Sequence, residues 1–294
     1  MFRGCIVALV TPFRNNGDVD FRMLDELIDF HLAQGTDGIS PCGTTGESPT
    51  LSLEEHEAVI EAVVKRVRGR VPVLAGTGSN STHEAIRLTK FAEKAGADGA
   101  LLVSPYYNKP EPEGMYQHYE AIAKSVRIPL VLYNVPGRTG RAIEPKTIAR
   151  LSKIKNIIAV KDASGNLDVT SEIRSLCDIT ILSGDDSLTL PIMSVGGKGI
   201  ISVVANIIPR DVKKMIAAFE KGDTAGAERM HRRLFPLCKA MFYESNPIPV
   251  KTAMKMLGRL NGVMRLPLSE MTVDKAKMLR SALKDYGLLK GSMR

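Results

Sequence analysis

Eight times between residues 5 and 220, a short run of aliphatic residues gives way to a stretch with helical periodicity. No other feature constrains the fold of this 294-residue chain as tightly. The strand-like runs fall at 5–10, 38–40, 71–75, 99–103, 130–133, 157–161, 179–182 and 199–203. The helical stretches follow them at 21–34, 53–66, 83–95, 112–124, 145–151, 169–176, 187–195 and 211–220. Ser52 and Glu55 have the spacing of a capping box, which marks where the second helix starts. Strands that alternate with helices pair in parallel through right-handed crossovers. Eight such units in about 220 residues have the size of a closed barrel. An open doubly wound sheet would carry a glycine-rich dinucleotide turn after its first strand, whereas this chain reads Thr11, Pro12, Phe13 there. Beyond Gly222 the pattern is helical only, at 225–242, 249–258 and 273–286. The expectation is an α/β chain, a (β/α)8 TIM barrel over residues 1–223 with a small C-terminal helical domain over 224–294.

Several function classes lose support at this stage. No apolar run is long enough to span a bilayer. The apolar start is short, interrupted by Pro12 and without a basic leader, so a cytoplasmic protein with no membrane partner is expected. Cys5, Cys42, Cys177 and Cys238 sit at no metal or redox spacing, and His31, His56, His83, His118 and His231 form no zinc motif. Neither a metal nor a cofactor is expected. The net charge of +8 is scattered, apart from a basic tail over 275–294, and tryptophan is absent. A nucleic-acid surface wants a basic stripe with interleaved aromatics, so no nucleic-acid partner is expected.

In a barrel of this kind, chemistry sits where strands end and loops begin. Lys161 closes the apolar run 157–160 and is followed at once by the turn-forming residues 162–166. Burial disfavours an ammonium, and a neutral amine can attack a carbonyl and form a Schiff base. A lysine that snorkels to water at the strand end is the other reading. The second exit, Gly43-Thr44-Thr45-Gly46-Glu47, offers hydroxyl and amide donors suited to a carboxylate, or a polar turn that leads into the next helix. The fourth exit holds Tyr106 and Tyr107 in a proline-bounded loop, suited to packing or to proton transfer. The fifth holds Tyr133 and Arg138: a phenol one strand from Lys161 and a guanidinium able to grip a carboxylate bidentately. At the seventh, Gly184 admits close approach of a ligand, and Asp185 and Asp186 are expected to cap the following helix. Ile201 in the eighth strand reads as packing or as one wall of a pocket.

Gly-Thr-Thr-Gly-Glu at 43–47, Tyr-Asn-Val-Pro-Gly-Arg-Thr-Gly at 133–140, Lys161, Ser-Gly-Asp-Asp at 183–186 and Asn-Pro-Ile-Pro-Val-Lys at 246–251 together resemble the pyruvate-dependent class I aldolase/lyase family. The likeness is to those members that condense pyruvate with L-aspartate 4-semialdehyde, the first committed step of lysine and diaminopimelate synthesis. It covers nearly the whole chain. It implies a homotetramer of TIM barrels, with Lys161 as the Schiff-base lysine. Thr44, Tyr133 and Tyr107 would form a proton relay, Tyr107 reaching in from a neighbouring subunit. Thr45 would hold the pyruvate carboxylate and Arg138 that of the semialdehyde, with Gly184 and Ile201 lining the pocket. No cofactor is implied. Feedback inhibition by L-lysine is a further implication, at a site of Pro49, Leu51, His56, Asn80, Glu84 and Tyr106. Leu53 stands where some lysine-sensitive members carry histidine, and Pro49 where alanine is more usual. Sibling activities are N-acetylneuraminate lyase and 2-keto-3-deoxy-sugar-acid aldolase, and a non-catalytic pyruvate-binding barrel is the alternative of another class.

Overall fold

In a computed structural model that describes residues 2–290, eight parallel strands form a single sheet. They are β1 Gly4–Ala8, β2 Gly38–Ser40, β3 Leu74–Gly76, β4 Gly99–Val103, β5 Leu130–Asn134, β6 Ile157–Asp162, β7 Thr180–Ser183 and β8 Gly199–Ser202. Their order is β2-β1-β8-β7-β6-β5-β4-β3. The parallel bridge Ile39–Val73 joins the two ends, so the sheet closes into a barrel. Phe2, Ile6, Ala8, Leu74, Leu101, Val131, Ala159, Leu182 and Ile201 fill its interior. A second shell of aliphatic residues lies between the strands and the surrounding helices, as the near-continuous apolar strands require.

The helices start and stop where local chemistry directs. Ser52 caps Leu53–Val67: its Oγ accepts the Glu55 N–H, and the Glu55 carboxylate accepts the Ser52 N–H, the reciprocal arrangement of a capping box. Asp20 caps Phe21–Gln34, which ends on Gly35 in the left-handed conformation that glycine adopts without steric cost. The third strand lies at 74–76 rather than 71–75. The Pro72 carbonyl is taken by the Ile39 N–H, and the Asp98 carboxylate takes the Val73 N–H, so the ladder to β4 begins only at Leu74. A single helical turn, Pro136–Thr139, follows β5 at the exit that carries Arg138.

After Pro209–Glu220 come three further helices, Thr224–Ala240, Ile248–Met256 and Val273–Tyr286. Leu234, Leu237, Val250, Ala253, Met254, Leu279 and Leu283 from this part join the same apolar cluster as β1, β2 and the first two barrel helices. The segment leading into Ile248–Met256 crosses the end of the barrel where the strands exit. Residues 291–294 of the basic tail lie outside the described residues. Among the described residues, no helix is long and apolar enough to cross a membrane, and no group of three or more His, Cys, Asp or Glu residues could hold a metal ion.

Candidate active site

Parallel pairing of β5 with β6 sets Tyr133 directly beside Lys161. Both are buried, and the Lys161 Nζ lies 4.1 Å from the centroid of the Tyr133 ring. Lys161 forms no ion pair among the described residues, although Asp162 follows it in the chain. The Asp162 carboxylate points the other way, accepting the Ser164 N–H at 3.1 Å and the Thr170 hydroxyl at 2.8 Å. Alternation along the strand thus separates the amine, inside the barrel, from the carboxylate, outside it. Asp185, at the β7 exit, is the acid that senses Lys161: burial raises its carboxyl above the ordinary range, and the lysine charge pulls it partly back.

The exit of β2 is a 3-10 turn, Thr44–Gly46, that presents two threonines at the barrel mouth. Thr44 shares a small hollow with Tyr133. Thr45 is buried, and its Oγ accepts a hydrogen bond from the Asn246 side-chain amide at 3.0 Å. With that lone pair engaged, the Thr45 hydroxyl proton is free to be donated elsewhere. The guanidinium of Arg138 donates to the Asn246 carbonyl at 3.1 Å. One residue, Asn246, therefore touches both of the groups that the sequence suggested as carboxylate binders.

Gly184 and Ile201 are both tightly packed. A Cβ on Gly184 would come within 2.6 Å of the Ala163 Cβ, so the β7 exit can lie against the β6 exit only with glycine there. Ile201 is fully buried in the barrel interior, in the cluster that also contains Tyr133. Asp185 and Asp186 do not cap the helical turn that follows them. Asp186 instead reaches across to the β8 exit. It accepts the Ser202 hydroxyl at 2.5 Å and the N–H groups of Val203 and Val204 at 3.1 and 3.0 Å. These are the otherwise unpaired donors of the next turn, a better acceptor geometry than its own helix offers. Burial pushes the Asp186 carboxyl up to about 6 in spite of those bonds.

A cavity of 510 Å³ adjoins this mouth through Thr44 and Arg138. Thr44, Val135, Arg138 and Thr139 line it together with Pro49, Leu51, Leu53, His56, Glu84 and Tyr106. Five of the six residues suggested for an inhibitor site therefore share one space with Thr44 and Arg138. The sixth, Asn80, is fixed beside it by a bond to the Tyr106 carbonyl at 3.1 Å. His56 donates through Nε2 to the Gly76 carbonyl at 2.7 Å, and burial lowers its pKa against the pull of that bond and of Glu84. Glu84 accepts from the Ser79 hydroxyl at 2.8 Å. Tyr107 stands apart from all of these: it is 90% exposed, on a backbone with φ of 69°.

Two site features escaped a reading of the sequence. Asn246 lay in a quoted motif but was given no role. Glu47 and Lys251 form a fully buried ion pair beneath the threonine turn. A partner 204 residues away leaves no local signal.

The profile of the dihydrodipicolinate synthetase family matches residues 1–286. The 4-hydroxy-tetrahydrodipicolinate synthase of Syntrophus aciditrophicus (strain SB) is 53% identical over 291 residues, 98% of this chain and 100% of that protein. The crystal structure of dihydrodipicolinate synthase from Aquifex aeolicus superposes with a TM-score of 0.96 at 52% identity, covering 99% of this chain and 100% of that one. The enzyme from Cyanidioschyzon merolae, solved with lysine bound, superposes with a TM-score of 0.95 at 42% identity over 98% of this chain and 99% of that one.

Proposed function

The chain belongs to the dihydrodipicolinate synthetase family, and we propose that it condenses pyruvate with L-aspartate 4-semialdehyde through a Schiff base on Lys161. The observation that carries this reading is the pairing of a buried lysine with Tyr133 at the barrel mouth, 4.1 Å from amine to ring centre, with Thr44 beside the same tyrosine. The activity named for the relatives, 4-hydroxy-tetrahydrodipicolinate synthase, is the one these residues suit.

The Lys161 amine adds to the keto carbon of pyruvate, and water leaves to give an imine. The imine acts as electron sink, so no organic cofactor enters the scheme. Loss of a proton from the methyl carbon gives an enamine, whose carbon attacks the aldehyde of the semialdehyde. The amino group of that substrate then adds to the imine carbon, closes the ring and releases the Lys161 amine. Thr45 donates its free hydroxyl proton to the pyruvate carboxylate, and Arg138 holds the carboxylate of the second substrate by charge-assisted bonds.

Tyr133, Thr44 and Tyr107 carry the protons. The exposure of Tyr107 supports its use by a neighbouring subunit of a homotetramer, in which that surface would be covered. L-Lysine is the feedback ligand of this cavity, where Glu84 and, beside it, the Asn80 side chain supply polar partners for its ammonium. The barrel ends near residue 223, and the helical part that follows it serves to close its mouth. The reaction belongs in the cytoplasm.

The test is to supply pyruvate with either L-aspartate 4-semialdehyde or a polyhydroxylated sugar aldehyde and follow pyruvate consumption. The expected outcome is turnover with the semialdehyde alone. Faster turnover of the sugar aldehyde would replace this reading with a sibling aldolase activity.

A further inference from the structure

We propose that the buried Glu47–Lys251 ion pair is a positioning device that holds the Thr44–Thr45 turn in register with Lys161. The inference rests on the proposed imine chemistry and assigns to that reaction two residues which do not touch the reacting atoms.

Three observations lead to it. Glu47 directly follows the turn, and its backbone is left-handed, with φ of 55° and ψ of 36°. That conformation is unfavourable for any residue with a Cβ. Glycine would adopt it freely, so a glutamate at this position directs attention to its side chain. That side chain is buried, with one carboxylate oxygen accepting from the Lys251 Nζ and the other accepting the Arg265 N–H at 3.1 Å.

Lys251, for its part, is 0% exposed. It donates to the Thr11 carbonyl at the β1 exit at 2.8 Å and lies 4.4 Å from the Phe13 ring centre. The Thr11 hydroxyl returns to the same turn, donating to the Gly46 carbonyl at 2.7 Å. Five residues earlier on the same segment, Asn246 takes hold of Thr45 and Arg138. The segment 246–251 thus gathers the exits of β1, β2 and β5, and the ion pair is its deepest fastening.

The energetics argue for position rather than stability. Burying two charges costs desolvation that their attraction often fails to recover, and well-packed apolar pairs frequently replace such bridges with no loss of stability. Cutting one partner away, by contrast, strands a buried charge. An apolar pair can therefore restore the fold without restoring the fastening. It offers no acceptor for the Arg265 N–H and no donor for the Thr11 carbonyl, so the turn is left free to shift.

The experiment compares wild type with the double variant Glu47→Leu/Lys251→Met, and with Glu47→Asp, which keeps the charge but shortens the arm by one methylene. Thermal midpoint, kcat, KM for pyruvate and the rate of borohydride trapping with pyruvate are measured on each. A shift of the turn by about 1 Å lowers kcat/KM for pyruvate by between tenfold and a hundredfold. The expected result is that loss in the double variant, which still folds cooperatively with a midpoint lowered by its two unpaired backbone groups, and with trapping slowed in proportion. Should the double variant not fold, Glu47→Asp is expected to show at least a tenfold loss of kcat/KM while it stays folded. Wild-type kinetics in a folded double variant, or in Glu47→Asp, would overturn the inference. Absence of trapping in the wild type would instead overturn the imine reading on which it rests.

Discussion

Replacing Asp186 by asparagine should remove a pH dependence of stability that the fold itself creates. The carboxyl is raised from 3.8 to about 6, first by burial and against the pull of its hydrogen bonds to Ser202, Val204 and Val203. A raised acid holds its proton longer in the folded protein than in the unfolded chain. Its contribution to stability is therefore fully present below about pH 4 and is lost as pH rises through about 6. A gap of about two pH units corresponds to about 3 kcal/mol. Asparagine is nearly isosteric: its carbonyl can accept the Val203 and Val204 N–H groups, and its amide can donate to the Ser202 hydroxyl. The assay is the thermal midpoint of wild type minus that of Asp186→Asn, measured between pH 4 and pH 8. The difference should fall by about 5 °C across that range, in favour of the variant at the alkaline end. A flat difference, or one that grows with pH, would refute the argument that burial outweighs the three bonds at this carboxylate.

Further outcomes concern the site. Tyr133→Phe keeps the ring beside Lys161 and removes the hydroxyl. Turnover should fall by about 10²–10⁴-fold while borohydride still traps pyruvate, and a loss of less than tenfold would remove Tyr133 from the relay. Arg138→Ala should raise KM for the semialdehyde by about 10–100-fold, the worth of charge-assisted bonds to a carboxylate, and leave KM for pyruvate within a few-fold. Equal effects on both substrates would contradict the assignment. L-Lysine should inhibit turnover, and Glu84→Ala should weaken that inhibition by at least about tenfold. No inhibition of wild type at high millimolar lysine would remove the feedback reading.

The barrel was legible because each unit carries its own local signals. The alternation of strand and helix, the Ser52–Glu55 capping box and the glycine after Gln34 act within a few residues of one another. The lysine–tyrosine pair was legible for a related reason. Parallel strands adjacent in sequence are adjacent in space, and Tyr133 and Lys161 both sit at strand ends. What stayed hidden depends on contacts between distant segments. Asp186 looks like a helix cap until the β8 exit, 16 residues on, is brought beside it with three donors. Lys251 reads as an ordinary helix-surface lysine until the fold buries it against Glu47. The turn Pro136–Thr139 was visible in principle: proline at its first position and the left-handed Gly140 after it are start and stop signals, but one turn is too short to show periodicity.

The central claim is that pyruvate becomes covalently attached to Lys161. The most direct measurement is reduction with borohydride in the presence of pyruvate, followed by proteolysis and mass mapping. The account predicts one reduced pyruvyl group per chain, on the peptide containing Lys161, and none in Lys161→Ala. A wild-type chain left unmodified, or modified with equal yield in the alanine variant, would contradict it.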